Sequence, residues 1–227
     1  MDVLVIHYNT PRLTEAAIRS LQSVTKCNVF VFDNSDEHPF TASMEGVEVI
    51  DNTKGQVIDF DEMLSAFPRK VENRSSWGSA KHCKSVDMCF DILKDGFLLM
   101  DSDVLIKKDV SPLFDNSSAW VGGIHTNTRK YGHEIIRVIP WLCYINVPML
   151  AAYGIRYFNP DKMWFLSDKE PNMYYDTGAW LYEKTMSEHL HCKLIWPEDY
   201  CIHLGHGSWK EKDTEKWLNE NERLWRY

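Results

Sequence analysis

The chain has 227 residues, the size of a single domain that is long enough to bury a sizeable core. Its composition, 44% hydrophobic and 26% charged, is that of an ordinary globular protein. The net charge of −8, with no block of Lys or Arg, disfavours a nucleic-acid backbone as the main partner.

The N-terminus and the cysteines indicate a cellular location. The chain begins without a basic region and contains no apolar stretch of about 18 residues, so we expect neither a signal peptide nor a membrane span. Its six cysteines show no C-x-x-C spacing, which favours reduced thiols over zinc ligands or disulfides. These features predict a cytoplasmic protein, or one bound peripherally to the inner face of a membrane.

The first 50 residues predict alternating strands and a helix. Val3–Tyr8 is the first strand, after which Thr10 can cap a helix whose first residue is Pro11. Strands at Asn28–Phe32 and Val47–Ile50 follow, each ending in polar residues. A strand, a helix and a strand joined by short links form a parallel crossover unit, so we expect an α/β fold with a Rossmann-like beginning.

The middle of the chain leads into a second helix. Residues 53–78 are polar and irregular, with a short helix expected near 60–67. Ser79–Lys94 carries one apolar stripe at helical spacing and predicts a longer helix. This helix leads to a buried strand at Phe97–Met100.

The strand at Phe97–Met100 ends in two carboxylates, Asp101 and Asp103. Its four consecutive apolar residues are typical of a strand covered on both faces. Open α/β sheets bind ligands in the crevice beyond the carboxyl ends of their strands. Two carboxylates at that position need a compensating cation, and a hard divalent ion that itself carries a diphosphate would supply it.

The C-terminal half predicts a mixture of strands and helices. Pro140 indicates an edge strand or a bend, and Asp176 is suited to cap a helix that runs to about His191. The predicted strands of this half are Ala119–Ile124, Ile135–Asn146, Leu194–Trp196 and Cys201–Leu204.

The tail, Lys210–Tyr227, predicts an amphipathic helix. Its apolar side consists of Trp217, Leu218, Leu224 and Trp225. We expect this side to pack on the protein's own core; contact with a partner or a membrane-bound acceptor is the alternative.

Three segments, in this order, resemble nucleotide-sugar glycosyltransferases of the GT-A fold, and most closely the inverting family 2. They are Val3–Thr10 with Val29–Ser35, then Gly78–His82 with Leu98–Asp103, and finally Cys201–Ser208. The resemblance covers roughly residues 1–209 and implies one GT-A domain there, with residues 210–227 as a helix packed on it or extending it. The implied fold is a mostly parallel central sheet flanked by helices, with a mixed C-terminal half.

On the donor side, the resemblance implies that the first loop wraps the nucleotide and that Asp33 accepts a hydrogen bond from the base, preferably uracil. An Asx-turn is the alternative role for Asp33. The residues expected to bind the donor are His7, Tyr8, Asn9, Thr10, Asp33, Gly78, His82, Asp101 and Ser102.

The resemblance further implies that Asp101, Asp103 and His203 hold Mn²⁺ or Mg²⁺, with His206 as the alternative histidine. Such an ion would stabilise charge on the departing nucleoside diphosphate.

An inverting transfer requires a general base, and Asp176 stands where the family carries its acidic residue. A plain N-cap is its alternative role. The acidic pair Glu198-Asp199 comes late in the chain for this task.

The predicted activity is transfer of a hexosyl or pentosyl group from a nucleotide sugar, UDP-linked by preference, to an acceptor hydroxyl. The acceptor can be a glycan, a lipid-linked glycan, a protein or a modified nucleobase. A retaining transferase and a non-catalytic binding module of the same fold are the alternatives. A sugar-1-phosphate nucleotidyltransferase is disfavoured, because residues 7–12 contain no glycine.

Overall fold

The structure is a computed structural model. It describes residues 1–55, 77–128, 134–159, 177–205 and 214–226. The nine strands of these ranges are β1 (Asp2–His7), β2 (Asn28–Asp33), β3 (Val47–Asp51), β4 (Phe97–Asp101), β5 (Val104–Ile106), β6 (Trp120–Thr128), β7 (Glu134–Ile145), β8 (Lys193–Leu194) and β9 (Cys201–His203). Their α-helices are α1 (Pro11–Gln22), α2 (Trp77–Cys89), α3 (Val147–Ala152), α4 (Ala179–Ser187) and α5 (Thr214–Glu220). Short 3₁₀ turns lie at Ser111–Leu113, Pro197–Asp199 and Glu222–Leu224.

Seven of the described strands form one sheet in the order β3-β2-β1-β4-β7-β6-β8. The first four are mutually parallel, β7 is antiparallel to both β4 and β6, and β8 is parallel to β6. Only β7 therefore runs against the other six. This arrangement confirms the predicted mostly parallel α/β sheet with a mixed C-terminal half, and β5 and β9 form a separate antiparallel pair.

The N-terminal crossover unit forms as predicted, except for the helix cap. Thr10 occupies the N-cap position and Pro11 begins α1, but the Thr10 hydroxyl makes no capping hydrogen bond. Its Oγ1 instead lies 3.3 Å from Ser102 Oγ, across the crevice. The first helical hydrogen bond runs from the backbone N–H of Thr14 to the Thr10 carbonyl.

The predicted bounds of the helices before β4 and before β8 are wrong. The helix expected at Ser79–Lys94 ends at Cys89, and turns follow up to Gly96. The helix expected to start at Asp176 is capped by Gly178, whose φ of +80° favours glycine. A Cβ at Gly178 would lie 2.2 Å from the Val138 carbonyl oxygen, so α4 begins in close contact with β7.

Pro140 lies in β7 beyond the part that pairs with β4, where the pairing with β6 is irregular. Pairing of β7 with β4 stops at Leu142, and its register with β6 shifts between Gly122 and Ile124. Pro140 falls within this irregularity, so its missing N–H interrupts no regular ladder. The first half of β7 consequently extends beyond the carboxyl end of β4.

The tail packs on the domain through the predicted apolar residues, but its helix ends at Glu220 instead of running to Tyr227, and Leu224 lies in a 3₁₀ turn. Leu218 is fully buried and Trp225 nearly so, and both belong to a cluster with Leu13, Ala16 and Leu105. The Trp225 indole N–H donates to the Leu218 carbonyl. The tail thereby covers α1 and β5 together.

No helix in the described ranges is long and apolar enough to cross a membrane. All six cysteines are free thiols.

Candidate active site

Asp101, Asp103 and His203 lie together beyond the carboxyl end of β4. One ligand atom from each residue lies within 4.8 Å of the other two. Asp103 is nearly buried, with 9% of its side chain exposed, whereas His203 and Asp101 are about a quarter exposed. Two carboxylates at this separation repel each other unless a cation or proton lies between them.

His203 reaches this cluster because β9 pairs with β5. His203 lies opposite Val104, and the Leu204 N–H donates to the Asp103 carbonyl at 3.0 Å. The His203 Nε2 then lies 3.2 Å from Asp103 Oδ1, although the two residues are 100 positions apart. The two-stranded pair therefore attaches the C-terminal histidine to the Asp-x-Asp turn.

Two further side chains contact residues of the cluster and restrict their orientation. His82 on α2 places its Nε2 3.3 Å from Asp101 Oδ1, and its buried Nδ1 has no hydrogen-bond partner among the described residues. The Trp141 ring stacks on His203 with 4.7 Å between centroids and 24° between planes. These contacts restrict the rotation of one carboxylate and one imidazole.

The three ligand side chains suit a hard divalent ion that also accepts a nitrogen ligand. Carboxylates are the preferred ligands of Mg²⁺ and Mn²⁺, and imidazole suits the transition metals. Two carboxylates and one imidazole thus fit Mn²⁺ well and Mg²⁺ acceptably. His206, the alternative histidine, lies outside the described residues.

The loop after β1 is joined to the loop after β2 through Asn9. This residue has a φ of +53°, a conformation that Asn tolerates better than most residues. Its Oδ1 accepts the N–H groups of Glu37 and His38, and its Nδ2 donates to Asp36. Tyr8, 38% exposed, donates its hydroxyl to the same Asp36.

His7 lies beneath this loop and is fully buried. Its Nε2 donates to the His38 carbonyl at 3.2 Å, and its Nδ1 lies 2.7 Å from Thr14 Oγ1. Burial lowers the pKa of His7 below its ordinary value, partly opposed by the His38 carbonyl and by Asp33. A neutral imidazole at this place supports the loop from below.

Asp33 is also buried, with 1% of its surface exposed. Its Oδ1 accepts the Ser35 N–H at 2.9 Å, the expected Asx-turn, and its Oδ2 accepts the Phe40 N–H at 2.7 Å. The predicted hydrogen bond from a nucleobase to Asp33 stays a prediction, and this burial leaves little of the carboxylate to receive it.

The remaining predicted site residues do not all lie in one cluster. The hydroxyls of Thr10 and Ser102 contact each other, and Gly78 is exposed at the start of α2 with open space beside it. Glu198 and Asp199 lie in the 3₁₀ turn before β9. Asp176, the predicted base, lies outside the described residues, two positions before the cap of α4.

Further side chains lie at the same edge of the sheet. Asn34 and Asn52 follow β2 and β3, and they are joined by a 2.7 Å hydrogen bond. Trp141 and the half-buried Arg137 belong to the extended part of β7. Burial raises the pKa of Tyr157 well above its usual range. Position after a strand indicates both asparagines, whereas no sequence signal indicates the residues of β7.

Comparisons with known proteins give only distant structural likenesses. Neither a protein-family profile nor a curated protein sequence matches the chain. The crystal structure of the glycosyltransferase GlyE from Streptococcus pneumoniae TIGR4 is 15% identical and has a TM-score of 0.44, covering 87% of this chain and 45% of that one. Its apo form is 14% identical with a TM-score of 0.42, covering 84% and 44%. Mouse xyloside xylosyltransferase 1, apo form, is 10% identical with a TM-score of 0.38, covering 85% and 77%.

This chain thus spans less than half the length of the GlyE chains. The strand order of the seven-stranded sheet itself gives the mostly parallel α/β fold.

Proposed function

We propose that this protein is a metal-dependent glycosyltransferase that moves a sugar from a nucleoside-diphosphate sugar, UDP-linked by preference, to an acceptor hydroxyl. The observation that carries the proposal is the cluster of Asp101, Asp103 and His203 at the carboxyl end of a buried parallel strand. Such strand ends are where open α/β sheets bind ligands.

In this proposal Asp101, Asp103 and His203 hold Mn²⁺ or Mg²⁺. A bound divalent ion would supply Lewis-acid stabilisation of the charge that grows on the departing diphosphate. His82 and Trp141 keep Asp101 and His203 in the orientation that binding requires. Groups that orient metal ligands in this way typically change metal affinity 10- to 100-fold when they are removed.

The first loop binds the nucleoside part of the donor. Tyr8 presents an exposed ring beside the crevice, and Asn9 holds the loops after β1 and β2 together. Thr10 and Ser102 offer two hydroxyls between that loop and the Asp-x-Asp turn. His7 and Asp33 support these loops from the interior.

We assign the general base to Asp176, which would remove the proton from the acceptor hydroxyl and lead to inversion. An Asp176→Asn variant should keep donor and metal affinity while turnover falls by about 10²–10⁴, the usual contribution of such a base. An NMR-assigned product with retained anomeric configuration would instead favour the retaining transferase. The acceptor class and a cytoplasmic location stay predictions.

Isothermal titration of the intact protein with UDP, with and without Mn²⁺, tests the central proposal. We expect UDP to bind measurably only when the metal is present, and a panel of UDP-sugars to release UDP slowly by hydrolysis. UDP affinity that is unchanged by EDTA would contradict the metal-dependent mechanism. Metal-dependent binding without any transfer or hydrolysis would favour the non-catalytic binding module.

A further inference from the structure

A chain of side-chain hydrogen bonds runs from α2 to the end of β3. The Ser85 hydroxyl donates to the Lys81 carbonyl at 2.8 Å, so it accepts from its other neighbour, the Asn34 amide, at 2.7 Å. Asn34 must then turn its carbonyl oxygen toward Asn52, whose Nδ2 donates to it at 2.7 Å. Because a hydroxyl has only one proton, the whole chain has a single direction.

This direction leaves a carbonyl oxygen at the open end. Asn52 uses its amide N–H on Asn34, and its Oδ1 has no donor among the described residues. Gly55 makes room for this oxygen, since a Cβ at position 55 would lie 2.0 Å from it. A side chain at residue 55 would therefore displace the acceptor.

The open end lies at the same edge of the sheet as the metal cluster, because β3 and β4 run in the same direction. Asn34 and Asn52 directly follow two parallel strands, and the Asn52 N–H donates to the Asp33 carbonyl at 2.9 Å. Strands β3 and β4 are three strand spacings apart, about 14 Å, which an extended nucleoside diphosphate can bridge.

Helix α2 connects both ends of this span. His82 and Ser85 are three residues apart and hence lie on one face of the helix. His82 contacts Asp101 in the metal cluster, and Ser85 anchors the asparagines.

We propose that Asn52, oriented by Asn34 and Ser85, reads the nucleobase of the donor and selects a base that carries a ring N–H. Uracil and guanine present such a donor to the Asn52 oxygen. Cytosine places a ring nitrogen lone pair at the corresponding position, which faces the oxygen unfavourably. This inference rests on the proposed function, because it assumes that a nucleoside diphosphate occupies the crevice.

The test is titration of UDP, GDP, CDP and ADP into the intact protein with Mn²⁺, with inorganic pyrophosphate as a probe that has no base. We expect the wild-type protein to bind UDP at least about 10-fold more tightly than CDP, the effect of one hydrogen bond gained and one lone pair opposed. A higher affinity for GDP than for UDP would identify guanine as the source of the ring N–H. Preference for CDP or ADP would overturn the inference.

Two variants locate the selectivity. Asn52→Ala should lower UDP affinity about 10-fold and bring the UDP/CDP ratio toward one, while Mn²⁺ and pyrophosphate bind as before. Ser85→Ala should lower the same ratio with a smaller loss of UDP affinity, because Asn34 is then free to turn its amide. Glu48→Ala, an exposed neighbour on β3, is the matched control and should leave the ratio unchanged.

The outcomes separate this inference from the proposed function. An unchanged UDP/CDP ratio in Asn52→Ala, with metal-dependent UDP binding intact, would overturn the base-reading role alone. Failure of every nucleoside diphosphate to bind the wild-type protein with Mn²⁺ would overturn both.

Discussion

The two parts of the crevice satisfy their polar groups in opposite ways. In the loop half, formed by residues 7–10 and 33–40, polar groups pair with one another: Asp33 accepts two backbone N–H groups, and Asn9 connects three residues of the second loop. In the metal half, formed by Asp101, Asp103 and His203, two carboxylates converge, with one imidazole against each.

This difference predicts which half requires a bound ion. A carboxylate whose lone pairs are taken up by backbone N–H groups contributes to stability without any ligand. Converging carboxylates gain most from a cation that binds both of them. We therefore expect the loop half to be stable without a ligand and the metal half to bind a cation.

Removing a core contact between the tail and β5 should have the largest effect on stability. Leu218→Ala deletes a fully buried side chain that packs with Leu105 of β5, so we expect the free energy of unfolding to fall by about 2–5 kcal/mol. Urea unfolding measures this, with the exposed Glu220→Ala as control. The increase in melting temperature caused by Mn²⁺ should persist, and its disappearance would mean that the metal half depends on the tail.

The second prediction tests whether the metal half binds Mn²⁺. At Mn²⁺ concentrations about 100-fold above Kd, the wild-type protein should gain about 2.7 kcal/mol of stability. Asp103→Asn should lose this gain, because one anionic ligand to a hard cation is removed. Thermal unfolding with and without Mn²⁺ measures it, and exposed Asp95→Asn should behave as wild type. An equal gain in Asp103→Asn would place the ion elsewhere.

The same chemical change in the loop half should act on folding instead. Asp33→Asn presents an NH₂ group to either Ser35 or Phe40, which leaves a buried N–H unpaired and costs about 2 kcal/mol of stability. The loss should be equal with and without Mn²⁺. Full stability together with weakened UDP binding would support the base contact that the sequence alone suggests.

The smallest effect is a pH dependence from His7. Its pKa in the folded state is below the ordinary 6.5, so the unfolded state binds more protons and stability falls as pH decreases below about 6.5. The slope is at most about 1.4 kcal/mol per pH unit. Urea unfolding between pH 7 and 5.5 should show a shallower slope in His7→Gln, whereas exposed His125→Gln should keep the wild-type slope.

The sequence by itself determined the local elements and the place where the Asp-x-Asp turn lies. The apolar runs of β1, β2 and β4 predict buried parallel strands, and such strands end at one edge of a sheet. The wrong bounds of α2 and α4 came from features that periodicity does not encode. One of these is the close contact of Gly178 with β7.

The tertiary structure decided which polar residues meet. His203 reaches Asp103 only because β9 pairs with β5, and Asn34 meets Asn52 and Ser85 only because two strands and a helix converge. A sequence pattern shows that Asp33 follows a strand, but its burial depends on the loop that folds over it. Periodicity reports the face on which a residue lies, whereas hydrogen-bond partners depend on long-range packing.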